Sequence, residues 1–145
     1  MLYHSDNISA ALSEIRKVLR PNGSFYATTS GLDHLIELKE MVCEFDSRIQ
    51  FPLNGENRKF CLENGESVLN RYFNTVQCLR FHNSLRIDDI DYLYQFILSF
   101  KDDRNYNVNP IIENPSKFKT YLNSKTKGGC IEVTKSNCIF ISSNI

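Results

Sequence analysis

Apolar residues recur at helical spacing near the start of the chain. Ile8, Ala11, Leu12, Ile15, Val18 and Leu19 fall on one side, and Ser13, Glu14, Arg16 and Lys17 on the other. Ser5 or Asp6 is placed to cap the free N–H groups at the start of this helix. Arg16, Lys17 and Arg20 lie toward its C-terminus, where the helix dipole favours cations. Pro21-Asn22-Gly23 ends it: proline cannot extend the hydrogen-bond ladder, and glycine accepts a positive φ. The run SFYATT over residues 24–29 is aromatic and β-branched and reads as a short buried strand. Ser30-Gly31 then opens a second helix with Leu32, Leu35, Ile36, Val42 and Phe45 as its stripe. Helix, tight turn, strand and helix in that order predict a βα sheet with parallel strands.

From residue 46 to 63 the periodicity fades, and the polar stretch around Pro52 and Gly55 predicts a loop or a cap segment. Asn64 precedes a short helix carrying Val68, Leu69, Tyr72 and Phe73. Residues 75–87 alternate, with Gln77, Leu79, Phe81, Asn83 and Leu85 on one face of a long strand. Asp88-Asp89 starts another helix, whose apolar face is Ile90, Leu93, Tyr94, Ile97 and Leu98. Residues 101–109 form a polar linker. Asn114-Pro115 begins a helix through Phe118, Tyr121 and Leu122, and Gly128-Gly129 ends it. The last segment, residues 130–142, is strand, with Ser136-Asn137 as a hairpin turn or a bend in one long strand. There is no internal repeat, and the 145 residues read as one domain.

Composition narrows the function classes. Lys plus Arg equals Asp plus Glu at 17 each, so the chain has no electrostatic footprint for nucleic acid or an anionic membrane. No window approaches the length and apolarity of a membrane span. The polar side chains among the first twenty residues do not read as a signal peptide. Five cysteines (Cys43, Cys61, Cys78, Cys130 and Cys138) form no CxxC pair and stand at no zinc-ligand spacing with His4, His34 or His82. An odd, scattered set suits reduced thiols in the cytoplasm, and no metal site is expected. Tyr92, Tyr94, Phe96 and Phe100 are at helical spacing, which favours core over an aromatic pocket.

One stretch carries a resemblance. Leu2-Tyr3-His4, Asp6, Ala11-Leu12, Glu14, Lys17-Val18-Leu19, Arg20-Pro21-Asn22-Gly23 and Phe25 resemble the second half of the nucleotide-binding fold in class I S-adenosylmethionine-dependent methyltransferases. There a strand end of vLhHv type is followed by a helix with E-x-x-R-V-L-k-P-G-G and then by the next strand. The later FCLENGESVLNRYF and IEVTKSNCIFI resemble the C-terminal half of one bacterial branch of that family. The resemblance implies a partial Rossmann-like sheet with flanking helices, mixed, with an antiparallel C-terminal strand. It also implies S-adenosylmethionine as cofactor and a small-molecule methyl acceptor. It places Leu2, Tyr3 and His4 at the cofactor, beside the sulfonium, and the loop over residues 46–63 near the substrate as a lid.

The chain departs from the family in one respect that matters. The family's glycine-rich loop, where the cofactor meets bare backbone, and the acid that holds the ribose are absent. No G-x-G occurs among the six glycines. Met1 therefore reads as an internal methionine of a longer methyltransferase, and the chain as its truncated C-terminal portion. His34, next to the end of the first strand, is the candidate for a catalytic base, since its pKa lies near neutrality; the plainer alternative is a solvent-facing histidine. For Leu2, Tyr3 and His4 the plainer alternative is a frayed terminus. Methyl transfer asks mainly for alignment, so no catalytic dyad is required. A second reading, from a different class, is a catalytically inactive remnant. It pairs with itself or a partner through an exposed strand edge, as a homodimer or with a missing N-terminal half.

Overall fold

The computed structural model describes residues 2–50, 59–101 and 106–144. A short 3₁₀ helix, Leu2–His4, leads into α1 (Ile8–Val18), β1 (Ser24–Ser30), α2 (Ile36–Phe45), α3 (Gly65–Leu69) and β2 (Thr75–Ile87). Then come α4 (Ile90–Leu98), α5 (Asn109–Glu113), α6 (Pro115–Ser124) and β3 (Ile131–Ser143). The architecture is mixed α/β. No helix among the described residues is long and apolar enough to cross a membrane.

The three strands form one open sheet in the order β1-β3-β2. β1 runs antiparallel to β3, from Ser24 opposite Ser143 to Ser30 opposite Asn137. β2 also opposes β3: Thr75 Oγ1 meets Ser143 Oγ at 2.6 Å near one end, and Ser84 bonds Glu132 near the other. Every neighbouring pair of described strands is thus antiparallel. That differs from the expectation of adjacent parallel strands, because β3 lies between the two strands that precede it. β3 is one continuous strand, so Ser136-Asn137 makes no hairpin turn.

The chain divides into two compact units. The first comprises Met1–His34, Asn54–Asn83 and Lys135–Ile145. Its core is Leu12, Ala27, Phe60, Leu69, Phe73, Cys138 and Phe140, with Phe60 and Phe140 meeting edge-on at 5.7 Å between ring centroids. The cap of α1 is Asn7, whose Oδ1 accepts from Ala10 N–H at 2.9 Å, rather than Ser5 or Asp6. Asn22, at φ 63°, takes the left-handed turn position expected of Gly23. Gly23 is needed for space instead: a side chain there would lie 2.9 Å from the Arg20 carbonyl oxygen. Val18, expected on the buried stripe, is 78% exposed, whereas Ile8, Ile15 and Leu19 pack against this core. Asn64 gives α3 no side-chain cap; its Oδ1 accepts from Cys61 N–H at 2.8 Å.

The second unit comprises Leu35–Leu53 and Ser84–Thr134. Leu38, Val42, Leu93, Ile97, Phe118 and Leu122 are fully or almost fully buried in its core. Phe118 packs edge-on against Phe45 at 4.8 Å and stacks on Tyr121 at 6.3 Å. Asp89 caps α4 through Oδ1, which accepts from Tyr92 N–H at 2.8 Å. Of the aromatic series, Tyr94 is buried, Phe100 packs at the core's edge, and Tyr92 stands 72% exposed. α2 begins later than expected, at Ile36, because Leu35 adopts a left-handed conformation (φ 56°, ψ 31°). Its N–H donates to the Thr134 carbonyl at 2.8 Å, and its side chain packs on the core, which together hold this disfavoured conformation. α5 starts at Asn109, the last residue of the segment read as linker, and its five residues are too few to show a helical period. Of the loop over residues 46–63, the part from 51 to 58 lies outside the described residues.

Candidate functional site

Several polar side chains of the first unit meet at the carboxyl end of β1. β1 runs out through Gly31, Leu32 and Asp33 into a turn in which His34 N–H donates to the Gly31 carbonyl at 3.2 Å. β3 runs beside it, so Ser30 Oγ donates to Asn137 Oδ1 at 3.0 Å and Gly31 N–H to the Ser136 carbonyl at 2.9 Å. Glu63 closes the other side: its Oε1 accepts from Leu32 N–H at 3.0 Å. The result is a hollow of about 300 Å³ lined by Asp33, Glu63, Arg80, His82, Ser136 and Asn137, among others. A second hollow, about 310 Å³, shares Phe81 and Asn137 with it and reaches Tyr3, Thr28 and Ser30.

His34 follows Asp33 of the first hollow in sequence and is half-buried, in the turn before α2 and not in a helix; it does not itself line the hollow. Its Nδ1 accepts from Ser136 N–H at 3.2 Å. A neutral imidazole with Nδ1 as acceptor carries its hydrogen on Nε2. Burial lowers its pKa, the Lys135 ammonium adds to that, and Asp33 opposes both. The ring is therefore held neutral and offers a hydrogen-bond donor, while the nitrogen a base would use is occupied by backbone.

Leu2, Tyr3 and His4 do not end a strand. Ser5 N–H donates to the Leu2 carbonyl at 2.9 Å and closes a 3₁₀ turn. The Tyr3 and His4 rings lie 4.5 Å apart, and Leu2 and Tyr3 pack against the first unit's core. The three residues are also divided. Tyr3 lines the hollow at the end of β1, whereas Leu2 lines a cavity of about 380 Å³ between α1 and β1, with Ala11, Ile15, Phe25 and Ala27. Among the described residues no carboxylate lines that cavity, and an adenosine ribose is held by one. The residues present do not complete a cradle for S-adenosylmethionine.

Among the described residues, no group of His, Cys, Asp and Glu is arranged to hold a metal ion. All five cysteines are free thiols. Burial, reinforced by neighbouring Cys78, pushes the Cys138 thiol up to about 12, so it stays protonated and unreactive. Burial also raises Cys61. Asp33, Glu63, Arg80 and Asn137 were not singled out from the sequence. They come from separate stretches: the β1–β3 register sets Asn137 opposite Ser30, Glu63 is bonded to Leu32 N–H and Arg80 lies on β2 beside β3, and a single sequence carries no signal of these pairings.

No model of a known protein family matches the chain. No curated protein resembles it closely enough in sequence to count as a match.

Proposed function

We propose that this chain is the C-terminal portion of an S-adenosylmethionine-dependent methyltransferase that acts on a small molecule. The observation that carries the reading is the arrangement of β1 and β3. A helix–turn–strand unit with the quoted motif delivers β1, and the C-terminal strand returns antiparallel beside it. An antiparallel C-terminal strand is what the resemblance implies. The hollow at the carboxyl end of β1 also fits, since open α/β sheets bind ligands at that end of their strands. In this reading Leu2, Tyr3 and His4 lie toward the cofactor, with Tyr3 on the hollow at the end of β1 and Leu2 on the neighbouring cavity, and the family's glycine-rich loop is not among the residues of this sequence. His34 orients an acceptor by donating from Nε2. The test is a titration of S-adenosylhomocysteine into the isotope-labelled chain, followed by the amide signals of Leu2, Tyr3 and His4. Shifts confined to those residues and the β1 end are expected. Saturable shifts elsewhere in the folded chain, with Leu2, Tyr3, His4 and the β1 end unmoved, would refute this placement of the cofactor.

A second reading has its own observation. The outer edge of β1 is unpaired over most of its length among the described residues, which favours an inactive methyltransferase-like remnant that works by self-association.

A further inference from the structure

β1 is an edge strand with an alternating ladder. In an antiparallel pair, residues alternate between exchanging backbone hydrogen bonds with the partner strand and turning those groups away. Two bonds fix the phase: Gly31 N–H donates to Ser136 on β3, whereas the Ser30 carbonyl accepts from Leu62 N–H on the outer side. The odd residues of β1 therefore bond β3. Ser24, Tyr26 and Thr28 point their N–H and C=O groups outward, where no partner among the described residues meets them.

Natural edges are normally guarded by charge, proline or a bulge. The sheet's other edge strand, β2, carries Arg80, His82 and Arg86. β1, with the sequence SFYATTS, has no charge and no proline. Beside it lies the cavity walled by Leu2, Ser5, Ala11, Ile15, Phe25 and Thr28, among others. Val18, three residues beyond Ile15 on the same helix face, is 78% exposed, and Tyr26 is 64% exposed.

We propose that this edge pairs with the same edge of a second copy, which names the surface used in the self-association reading and rests on it. The strand is its own complement. About a two-fold axis through Tyr26, the outward residues pair Ser24 with Thr28, Tyr26 with Tyr26, and Thr28 with Ser24, all as hydrogen-bonded pairs. No like charges meet across that axis, because the strand has none. The formal net charge of zero leaves no long-range repulsion between copies. The product is a continuous six-stranded sheet, with the two α1 helices on one face bringing their Ala11, Ile15 and Val18 stripes together.

Sedimentation equilibrium on the full chain tests this, alongside Thr28→Pro and Tyr26→Lys. Thr28→Pro removes an outward N–H without touching the β3 ladder, and Tyr26→Lys sets two ammonium groups across the axis. The expected result is a dimer for the natural chain and at least about tenfold weaker association for each variant, with unchanged circular dichroism. In the natural chain, hydrogen exchange at the Tyr26 and Thr28 amides should slow as concentration rises. That readout decides the matter if the variants fold poorly. A dimer that survives both substitutions, with those amides unprotected, overturns the β1 edge and leaves self-association standing. A natural chain monomeric up to about 0.5 mM overturns both.

Discussion

Replacing Gly65 with alanine sets two effects against each other, and their sizes decide the outcome. Gly65 begins α3 and is buried. In a helical position alanine is favoured over glycine by at most about 1 kcal/mol. The added methyl, however, would lie 2.6 Å from Phe140 Cζ, where carbon atoms at ease sit about 3.5–4.0 Å apart. Phe140 is fully buried on β3 and held edge-on by Phe60, so its ring has nowhere to swing. Overpacking of this kind costs about 1–3 kcal/mol, and a boxed-in neighbour argues for the upper half of that range. The net expectation for Gly65→Ala is a loss of about 1–2 kcal/mol. Phe140→Leu alone should also destabilise, by about 1–2 kcal/mol, through the space it leaves. In the double variant the methyl occupies part of that space, so the combined loss should fall short of the sum by about 1 kcal/mol or more. Urea unfolding followed by far-ultraviolet circular dichroism measures all three. A Gly65→Ala variant as stable as the natural chain would refute the packing argument.

Phe118→Ala should cost about 3–5 kcal/mol by the same assay, since its fully buried ring anchors Phe45, Tyr94 and Tyr121 in the second unit. His34 supplies a pH dependence. Its folded pKa lies below the ordinary 6.5, so the unfolded chain takes up the proton first. The stability tied to the neutral ring is complete above about pH 6.5 and is lost as pH falls from there to the folded pKa. His34→Gln should flatten that part of the curve, and unfolding midpoints at about pH 7.5 and 5.5 would reveal it; equal slopes in both proteins would count against the buried, neutral ring. Native-state alkylation near pH 8 should modify half-buried Cys43 or Cys78 well before Cys138, whose thiol stays protonated. Mass mapping that finds Cys138 labelled first would contradict its burial.

Most elements were legible in the sequence because their signals are local. The stripe of α1, the alternation of β2, the Asp89 cap and the Asn114-Pro115 start of α6 all depend on neighbours within a few residues. What escaped was non-local. β3 settles between β1 and β2, and only that placement makes each neighbouring pair antiparallel. Leu35 in a left-handed conformation breaks a residue preference, and its support comes from Thr134, far along the chain. Leu79, Phe81 and Leu85 share a face as expected, yet all are at least 40% exposed, while Val76 and Cys78 on the other face pack inward. Alternation identifies faces but does not say which one is covered. At the site, His34 was visible as a candidate from its position after β1. The role its ring can take depends on Ser136, which arrives from the other end of the chain.

The turn between α6 and β3 has a practical consequence. Gly128 and Gly129 both take positive φ (57° and 78°), and among the described residues nothing lies within 4 Å of where their side chains would begin. The requirement there is torsional, not steric. Asparagine or aspartate, which tolerate the left-handed region, should replace either glycine at small cost, and a β-branched residue should not. Because the space is open, added chain has room to leave the turn without displacing the core. An affinity tag or fluorescent domain spliced between the two glycines would thus report on the folded protein, and new termini cut there would begin a circular permutant.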